Sequence, residues 1–331
     1  MAVYTHVSAE ALGEFLTRYD VGELVSAKGI AEGVENSNYM VDTTKGRFFL
    51  TLYEKRVAAD DLPYFMALLD HLAAKGLPVP PAIKDRNGVE IQELEGRPAC
   101  LIKFLPGVSL SHPLPAQALA AGIALAEMHR AVADFTPTRI NSMGAQTWVA
   151  QFERCGRDLD TIEPGLFDRV GEALDLVLGR WPDHLPTSVI HADLFPDNVL
   201  MRGDRVTGLI DFYFACTDIR AFDLAVMHGA WSFNAAGDEY FPEVGRALVD
   251  GYASCFGLTA EERSALPVLA EGAALRFLLS RSWDWLNTAP DAMVTRKDPL
   301  AYLRRYDFYR TFDPDLTASD GSADRYAPFA T

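Results

Sequence analysis

Residues 190–212 read IHADLFPDNVLMRGDRVTGLIDF, and the polar groups in this stretch restrict the fold more than any other part of the chain. Asp193 follows His191 by two residues, Asn198 comes five after Asp193, and Asp211 comes 13 after Asn198. An amide and carboxylates at this spacing act together only if the chain turns back on itself. The later VTGLIDF is strand-like, and a short hairpin is predicted that brings the Asn198 amide oxygen and the Asp211 carboxylate together. Loop and short strands must therefore interrupt the helices on either side.

Groups gathered in this way suit phosphoryl transfer from a nucleoside triphosphate. That reaction needs a carboxylate to orient or deprotonate the attacking hydroxyl, and oxygen ligands that hold magnesium against the phosphates. The spacing H-x-D-x-x-x-x-N followed by a metal-binding Asp is the catalytic-loop pattern of eukaryotic-type kinases. Asp193 is the candidate base or aligning group, and His191 shapes the loop by hydrogen bonding. Asn198 and Asp211 are the expected ligands of Mg, which takes hard oxygen donors and keeps several waters. Asp197 reads as a turn residue. Asp223 precedes an apolar run and is expected to cap the next helix while bonding back to the catalytic loop.

The chain has 46 Asp and Glu against 30 Lys and Arg, a formal net charge of −16. Such a surface repels nucleic-acid phosphates and anionic membranes, so neither nucleic acid nor membrane is an expected partner. Cys100, Cys155, Cys216 and Cys255 are scattered without a C-x-x-C pair or a zinc spacing, and read as reduced thiols. The start, MAVYTHVSAEALGEFL, lacks the basic and apolar regions of a secretory signal. No apolar run approaches the ~20 residues that cross a bilayer. A cytoplasmic location is expected.

Strands are predicted at Leu24–Ile30, Asn38–Asp42 and Arg47–Tyr53 from their aromatic and β-branched content. A helix follows, capped by Asp60 or Asp61, with Pro63 in its first turn and Gly76 at its end. Two more strands are expected at Val89–Leu94 and Pro98–Phe104. From about residue 113 the pattern is helical. Ala116–Ala131 carries Gly122 and Ala126, which leave room for a close neighbour, and residues 145–181 hold one or two further helices. Helices resume at Asp223–Trp231, Phe241–Phe256 and Glu261–Trp285, the last opening with a capping box of Thr259 and Glu262. The expected class is α+β: a small antiparallel-sheet lobe over 1–104, a larger and mainly helical catalytic and substrate lobe over 105–316, and a flexible tail over 317–331.

The segment GIAEGVENSN, Gly29–Asn38, lies between two predicted strands. Glycines let backbone amides approach phosphate oxygens. The segment matches neither G-x-G-x-x-G nor G-x-x-x-x-G-K-[ST]. Its place at the start of the strand-rich lobe makes Gly29, Gly33, Asn36, Ser37 and Asn38 candidates for nucleotide binding. Arg276 and Arg281 lie in the apolar run ALRFLLSRSWDW, where an arginine serves either a buried ion pair or a substrate carboxylate. Five residues apart on a helix, they point in different directions. Arg281 is the candidate for the carboxylate and Arg276 reads as structural.

The words EGVENSNY, FFLTLYEKR, GLPVPP, HADLFPDNVL, LIDFYFAC and LRFLLSR carry a resemblance over roughly residues 20–310. In them the chain resembles the aminoglycoside phosphotransferase and choline kinase superfamily, small-molecule kinases with the protein-kinase fold. Within that superfamily it looks most like bacterial homoserine kinases of the kinase-fold type. The resemblance implies a two-lobed protein-kinase-like fold and phosphorylation of L-homoserine by ATP to O-phospho-L-homoserine, a step toward threonine. It also implies ATP in a cleft, with adenine against the connection formed by Lys103 and Leu105.

One departure stands out. Protein kinases place a Lys on the third strand, paired with a Glu on the next helix. Here the strand reads FFLTLYE, so Thr51 takes the Lys position, and the helix offers no Glu. Phosphate neutralisation must then rest on magnesium, on backbone amides, or on Lys55 or Arg56. Two alternatives follow. One is a kinase for another small alcohol such as choline or ethanolamine, for which Trp231, Trp283 and Trp285 could form an aromatic cage. The other is an inactive nucleotide-binding module that has lost the strand lysine.

Overall fold

The computed structural model describes residues 5–30, 36–54, 59–288, 296–311 and 329. They separate into two units, one made of Met1–Pro106 and Gly208–Tyr213, the other of Gly107–Thr207, Phe214–Pro290 and Arg296–Thr331.

The first unit is built on an antiparallel sheet. Its strands are β1 (Leu24–Ile30), β2 (Ser37–Thr43), β3 (Gly46–Leu52), β4 (Gln92–Leu94) and β5 (Arg97–Lys103), in the order β1-β2-β3-β5-β4. Strand β2 shows why a sheet forms: every second residue, Ser37, Tyr39, Val41 and Thr43, is buried, the period of a strand with one face on a core. That core receives Leu12, Phe15 and Leu16 from helix α1 (Ala9–Leu16), packed with Tyr39, Val41, Leu50 and Leu101. Burial of each such side chain contributes roughly 1.5–3 kcal/mol. Helix α1 is absent from the sequence expectation, although its signals are local. Ser8 accepts from the Ala11 amide at 3.1 Å, and Leu12, Phe15 and Leu16 share one face.

Two further expectations for this unit are corrected. Helix α2 (Leu62–Ala74) has Asp61 at its N-cap position, but no side-chain capping bond is made. The strand expected from Val89 begins only at Gln92. The Asp85 carboxylate takes the amides of Asn87 and Val89, each at 2.8 Å, which ties this segment into a turn.

The second unit is mainly helical: α3 (Pro115–Ala131), α4 (Ala145–Cys155), α5 (Leu166–Leu178), α6 (Arg220–Trp231), α7 (Pro242–Cys255), α8 (Ala260–Asn287) and α9 (Leu300–Arg310). Two small sheets interrupt the helices between α5 and α6. One pairs β6 (Thr187–Ile190) with β9 (Cys216–Ile219), and the other pairs β7 (Val199–Arg202) with β8 (Arg205–Leu209). Helices α3 and α7 approach backbone to backbone, as the small residues of α3 predict. A Cβ on Gly122 would lie 2.1 Å from the Leu248 carbonyl oxygen, and one on Gly251 would lie 2.2 Å from that of Leu119. Helix α8 opens with the expected capping box. The Thr259 amide donates to Glu262 Oε2 at 2.8 Å, and the Glu262 amide donates to Thr259 Oγ1 at 3.1 Å.

Of the tail expected over 317–331, all but Phe329 lies outside the described residues; the Phe329 ring stacks on Tyr309 at 6.0 Å and lies 4.5 Å from His228. Among the described residues no helix is long and apolar enough to cross a membrane.

Candidate active site

Strand β6 ends at Ile190, and the chain then passes through His191–Asn198 into β7. Buried polar groups fix the loop at nearly every peptide. The amides of His191 and Ala192 donate to the Asp223 carboxylate at 2.7 and 2.8 Å, and His191 Nδ1 accepts from the Asp193 amide at 3.3 Å. The Ala192 carbonyl accepts from Arg276, and the Leu194 carbonyl accepts from Trp231 Nε1 at 2.9 Å. Phe195 packs edge-on against Phe277 with ring centroids 5.0 Å apart.

Asp193 is half-buried and Asn198 is buried. The structure brings these two together. Asn198 Nδ2 donates to the Asp193 carbonyl at 2.8 Å and lies 3.4 Å from Asp193 Oδ2. With its nitrogen so engaged, the amide presents its oxygen as the atom able to ligate a cation. Asp197 is exposed in the 3-10 turn Pro196–Asn198, in keeping with a turn role.

The predicted hairpin forms as β7 and β8 and turns at Gly203, whose φ is +60°. Asp211 follows it in the segment Gly208–Tyr213, which belongs to the first unit. There the Leu209 amide donates to the Pro78 carbonyl at 2.8 Å, and the hydroxyls of Tyr213 and Tyr53 meet at 3.0 Å. Among the described residues only Glu95, Ala192 and Asp211 have positive φ without being glycine. Two of the three stand inside the motif, at +64° and +66°. Such backbone costs on the order of 1–3 kcal/mol per residue and persists only where the surroundings over-determine it.

Asp223 is not the helix cap that the sequence suggests. Helix α6 starts at Arg220 with Ile219 at the N-cap position, and Asp223 sits fully buried in its first turn. Its expected bond back to the catalytic loop is made. It also accepts from His129 Nε2 at 3.0 Å, while His129 Nδ1 meets the Tyr252 hydroxyl at 2.9 Å. Burial pushes this carboxyl up, but His129 and the His191 amide outweigh burial and hold it below the usual carboxylate range. No signal in the sequence singles out His129, because its partners lie in distant helices.

The nucleotide candidates belong to the first unit. Gly29 is exposed on β1, opposite Tyr39 of β2, whereas Gly33, Lys55 and Arg56 lie outside the described residues. The side chains of Asn36, Ser37 and Asn38 are already engaged. Asn36 Oδ1 accepts from the Glu54 amide at 3.3 Å, Ser37 Oγ donates to Glu54 Oε1 at 2.8 Å, and Asn38 Oδ1 accepts from Thr51 Oγ1 at 2.9 Å. In these bonds Asn36 and Asn38 use their amide oxygens. Thr51 pairs across the sheet with Asn38 and takes no part as a cation substitute. Lys103 is exposed and Leu105 is half-buried.

On α8 the two arginines do part company. Arg276 is 2% exposed and turns to the loop, while Arg281 Nη1 donates to the Asp298 carbonyl at 3.3 Å and its guanidinium lies 4.5 Å over the Tyr302 ring. The three tryptophans form no cage. Trp231 is buried under Leu194, Trp283 is covered by the Arg154 guanidinium at 3.4 Å, and Trp285 lies under Arg296 at 4.7 Å. A ring face already occupied by an arginine repels a quaternary ammonium rather than binding it.

A sheet-bearing unit, a helical unit and a strained His-x-Asp loop whose Asn reaches back to its Asp define a phosphotransferase of the protein-kinase-like class. The chain belongs to the phosphotransferase enzyme family, whose profile matches residues 26–262. It is 52% identical to a homoserine kinase of Zymomonas mobilis subsp. mobilis over 312 residues, covering 94% of this chain and 97% of that one. It is also 52% identical to a homoserine kinase of Nitrobacter winogradskyi, covering 93% and 94% of the two chains. Among solved structures it resembles a microcompartment-associated aminopropanol kinase with a TM-score of 0.70 at 20% identity, covering 95% of this chain and 99% of that one. It resembles the amicoumacin kinase hAmiN with a TM-score of 0.68 at 14% identity, covering 94% of each. At these identities the structural likeness concerns the fold.

Proposed function

We propose that this chain is a magnesium- and ATP-dependent kinase that transfers a phosphoryl group to the hydroxyl of L-homoserine, giving O-phospho-L-homoserine and ADP on the way to threonine. The observation that carries the acceptor is 52% identity to a homoserine kinase across 94% of the chain. The general family profile stops at residue 262. That coverage necessarily includes most of α8 and α9 beyond it, where Arg276 and Phe277 touch the Asp193 loop, Tyr302 stacks on Phe277 and Arg281 lies over Tyr302.

Asp193 aligns the acceptor hydroxyl and takes its proton as the new bond to phosphorus forms. Arg281 offers a planar, bidentate donor to the homoserine carboxylate. The sequence pattern assigns Asn198 and Asp211 as donors to magnesium, and an amide and a carboxylate oxygen are the hard ligands that ion takes. When bound, the ion neutralises charge on the phosphates during transfer. The backbone of Gly29–Asn38 and the connection Lys103–Leu105 are the parts assigned to ATP. A choline-type acceptor is disfavoured, because the tryptophans that would cage it are already covered by arginines or buried.

ADP release measured with homoserine, choline, ethanolamine, methylthioribose and an aminoglycoside tests the reading. Turnover of homoserine is expected. Turnover of choline or the aminoglycoside without homoserine would overturn the acceptor, and nucleotide binding with no ADP release on any alcohol would point to an inactive module.

A further inference from the structure

Helix α8 holds the Asp193 loop on both sides of that residue. Arg276 Nη1 donates to the Ala192 carbonyl, one residue before Asp193, and Phe277 packs on Phe195 at 5.0 Å, two residues after it. The Ala192 amide is taken by Asp223 at 2.8 Å. Ala192 thus has its donor and its acceptor both fixed by charged side chains. It sits at a φ of +64°, which a residue bearing a Cβ adopts reluctantly.

Arg276 differs from the other arginines that pair with α8. Glu262 and Glu271 of this helix are fully buried, and each has its cation: Arg220 at 2.6 Å and Arg180 at 2.7 Å. Arg276, five residues past Glu271 and 2% exposed, has no carboxylate partner among the described residues, and its Nε has no hydrogen-bond partner there. The guanidinium faces the Ala192 carbonyl and the rings of Phe277 and Phe214, at 4.4 and 5.7 Å. A buried arginine kept for stability alone is better served by a carboxylate, because desolvation of an unpaired charge is costly. This one directs its charge at the peptide that carries Asp193.

We propose that Arg276 is a positioning residue for Asp193. Through the Ala192 carbonyl it fixes the left-handed turn that aims the Asp193 carboxylate at the acceptor hydroxyl. The proposal rests on Asp193 being the aligning group and is independent of which alcohol is the acceptor.

A double-mutant cycle of Arg276→Ala and Asp193→Asn tests it, with kcat and both KM values measured at saturating magnesium and thermal midpoints recorded alongside. Arg276→Ala should lower kcat about 10²-fold, the scale of a small misplacement of an aligned group. In the Asp193→Asn background it should cost no more than about twofold, because residues acting through one another are non-additive. Methylguanidinium added to Arg276→Ala should restore part of kcat with a saturating dependence. An equal loss in both backgrounds, or a raised KM for homoserine with kcat intact, would overturn the proposal. If Arg276→Ala does not fold, Arg276→Lys goes through the same cycle; it keeps the charge without the planar fork and should lose roughly tenfold. Wild-type turnover is read in the same assay. Activity on another alcohol and not on homoserine would sink the acceptor reading alone, and the cycle is then run on that alcohol.

Discussion

His129 Nε2 lies 3.0 Å from Asp223 Oδ2, both side chains fully enclosed, and the same carboxylate holds the amides of His191 and Ala192. One buried acid thus links α3 to the catalytic loop. Asp223→Asn keeps the shape but turns an NH₂ toward groups that donate, and each buried donor left unsatisfied costs about 1–3 kcal/mol. The variant should melt well below the wild type at neutral pH. The pH dependence has a definite sign. The folded carboxyl is held below 3.8, so its stabilisation is fully present above that value and is lost as pH falls below it through the folded value. Thermal midpoints of both proteins from pH 7 to pH 3 should show a steeper acid decline in the wild type. Parallel curves would mean that Asp223 is not ionised in the folded state.

Asp193 sits in a loop braced at His191, Ala192, Leu194 and Phe195, so its removal should alter chemistry rather than structure. Asp193→Asn is expected to leave nucleotide binding and the melting midpoint nearly intact while lowering kcat by roughly 10²–10⁴, the range for a lost general base. Steady-state kinetics alongside nucleotide titration would check this. Retained turnover would remove Asp193 from proton transfer and alignment alike.

Asp211→Asn replaces a carboxylate by a weaker, neutral oxygen donor, so its defect should ease as magnesium is raised. Activity measured against magnesium concentration should show a right-shifted curve for the variant. A defect of unchanged size at every concentration would argue that Asp211 serves the backbone turn at φ +66° instead of the metal.

The chemistry of the loop was legible because it is local: His191, Asp193 and Asn198 occur within eight residues, and their spacing encodes the turn that brings Asn198 onto the Asp193 carbonyl. The sheet was legible from alternation in β2 and from aromatic runs in β3. What escaped depends on distant partners. Asp223 looked like a cap because an apolar run begins after it, but β9 feeds straight into α6 at Arg220 and carries the residue a turn deeper. His129 and Arg276 become meaningful only once α3, α6 and α8 meet around the loop. Helix α1 is a different kind of miss, since Ser8 and the Leu12-Phe15-Leu16 spacing were available in the sequence.

The α3–α7 contact makes a sharper demand on size than on polarity. Gly122→Ala would place a Cβ 2.1 Å from the Leu248 carbonyl, and Gly251→Ala would place one 2.2 Å from that of Leu119. Each should cost about 1–3 kcal/mol, the usual scale of overpacking. Gly13→Ala in α1 is the control, as nothing lies within 4 Å of the added carbon. It should stabilise by about 0.5–1 kcal/mol through helix propensity. Chemical denaturation midpoints would rank the three, and a neutral Gly122→Ala would contradict the close helix approach.

Homoserine carries an ammonium and a carboxylate on one carbon, and a chain of net charge −16 supplies acids for the first far more readily than donors for the second. Arg281 is the residue we propose for that carboxylate. It lies about 1.4 turns beyond Arg276 on α8, and its guanidinium rests on Tyr302 while one nitrogen reaches the Asp298 carbonyl. Stacking fixes the plane of the fork without spending all of its five donors. Arg281→Lys keeps the charge but loses the bidentate geometry, so KM for homoserine should rise about tenfold, equivalent to 1.4 kcal/mol. KM for ATP and the melting midpoint should change little, because the hydrogen bond to Asp298 is exposed and long. A sharp fall in the midpoint with KM unchanged would instead make Arg281 a brace for the segment entering α9, and the carboxylate would be held elsewhere.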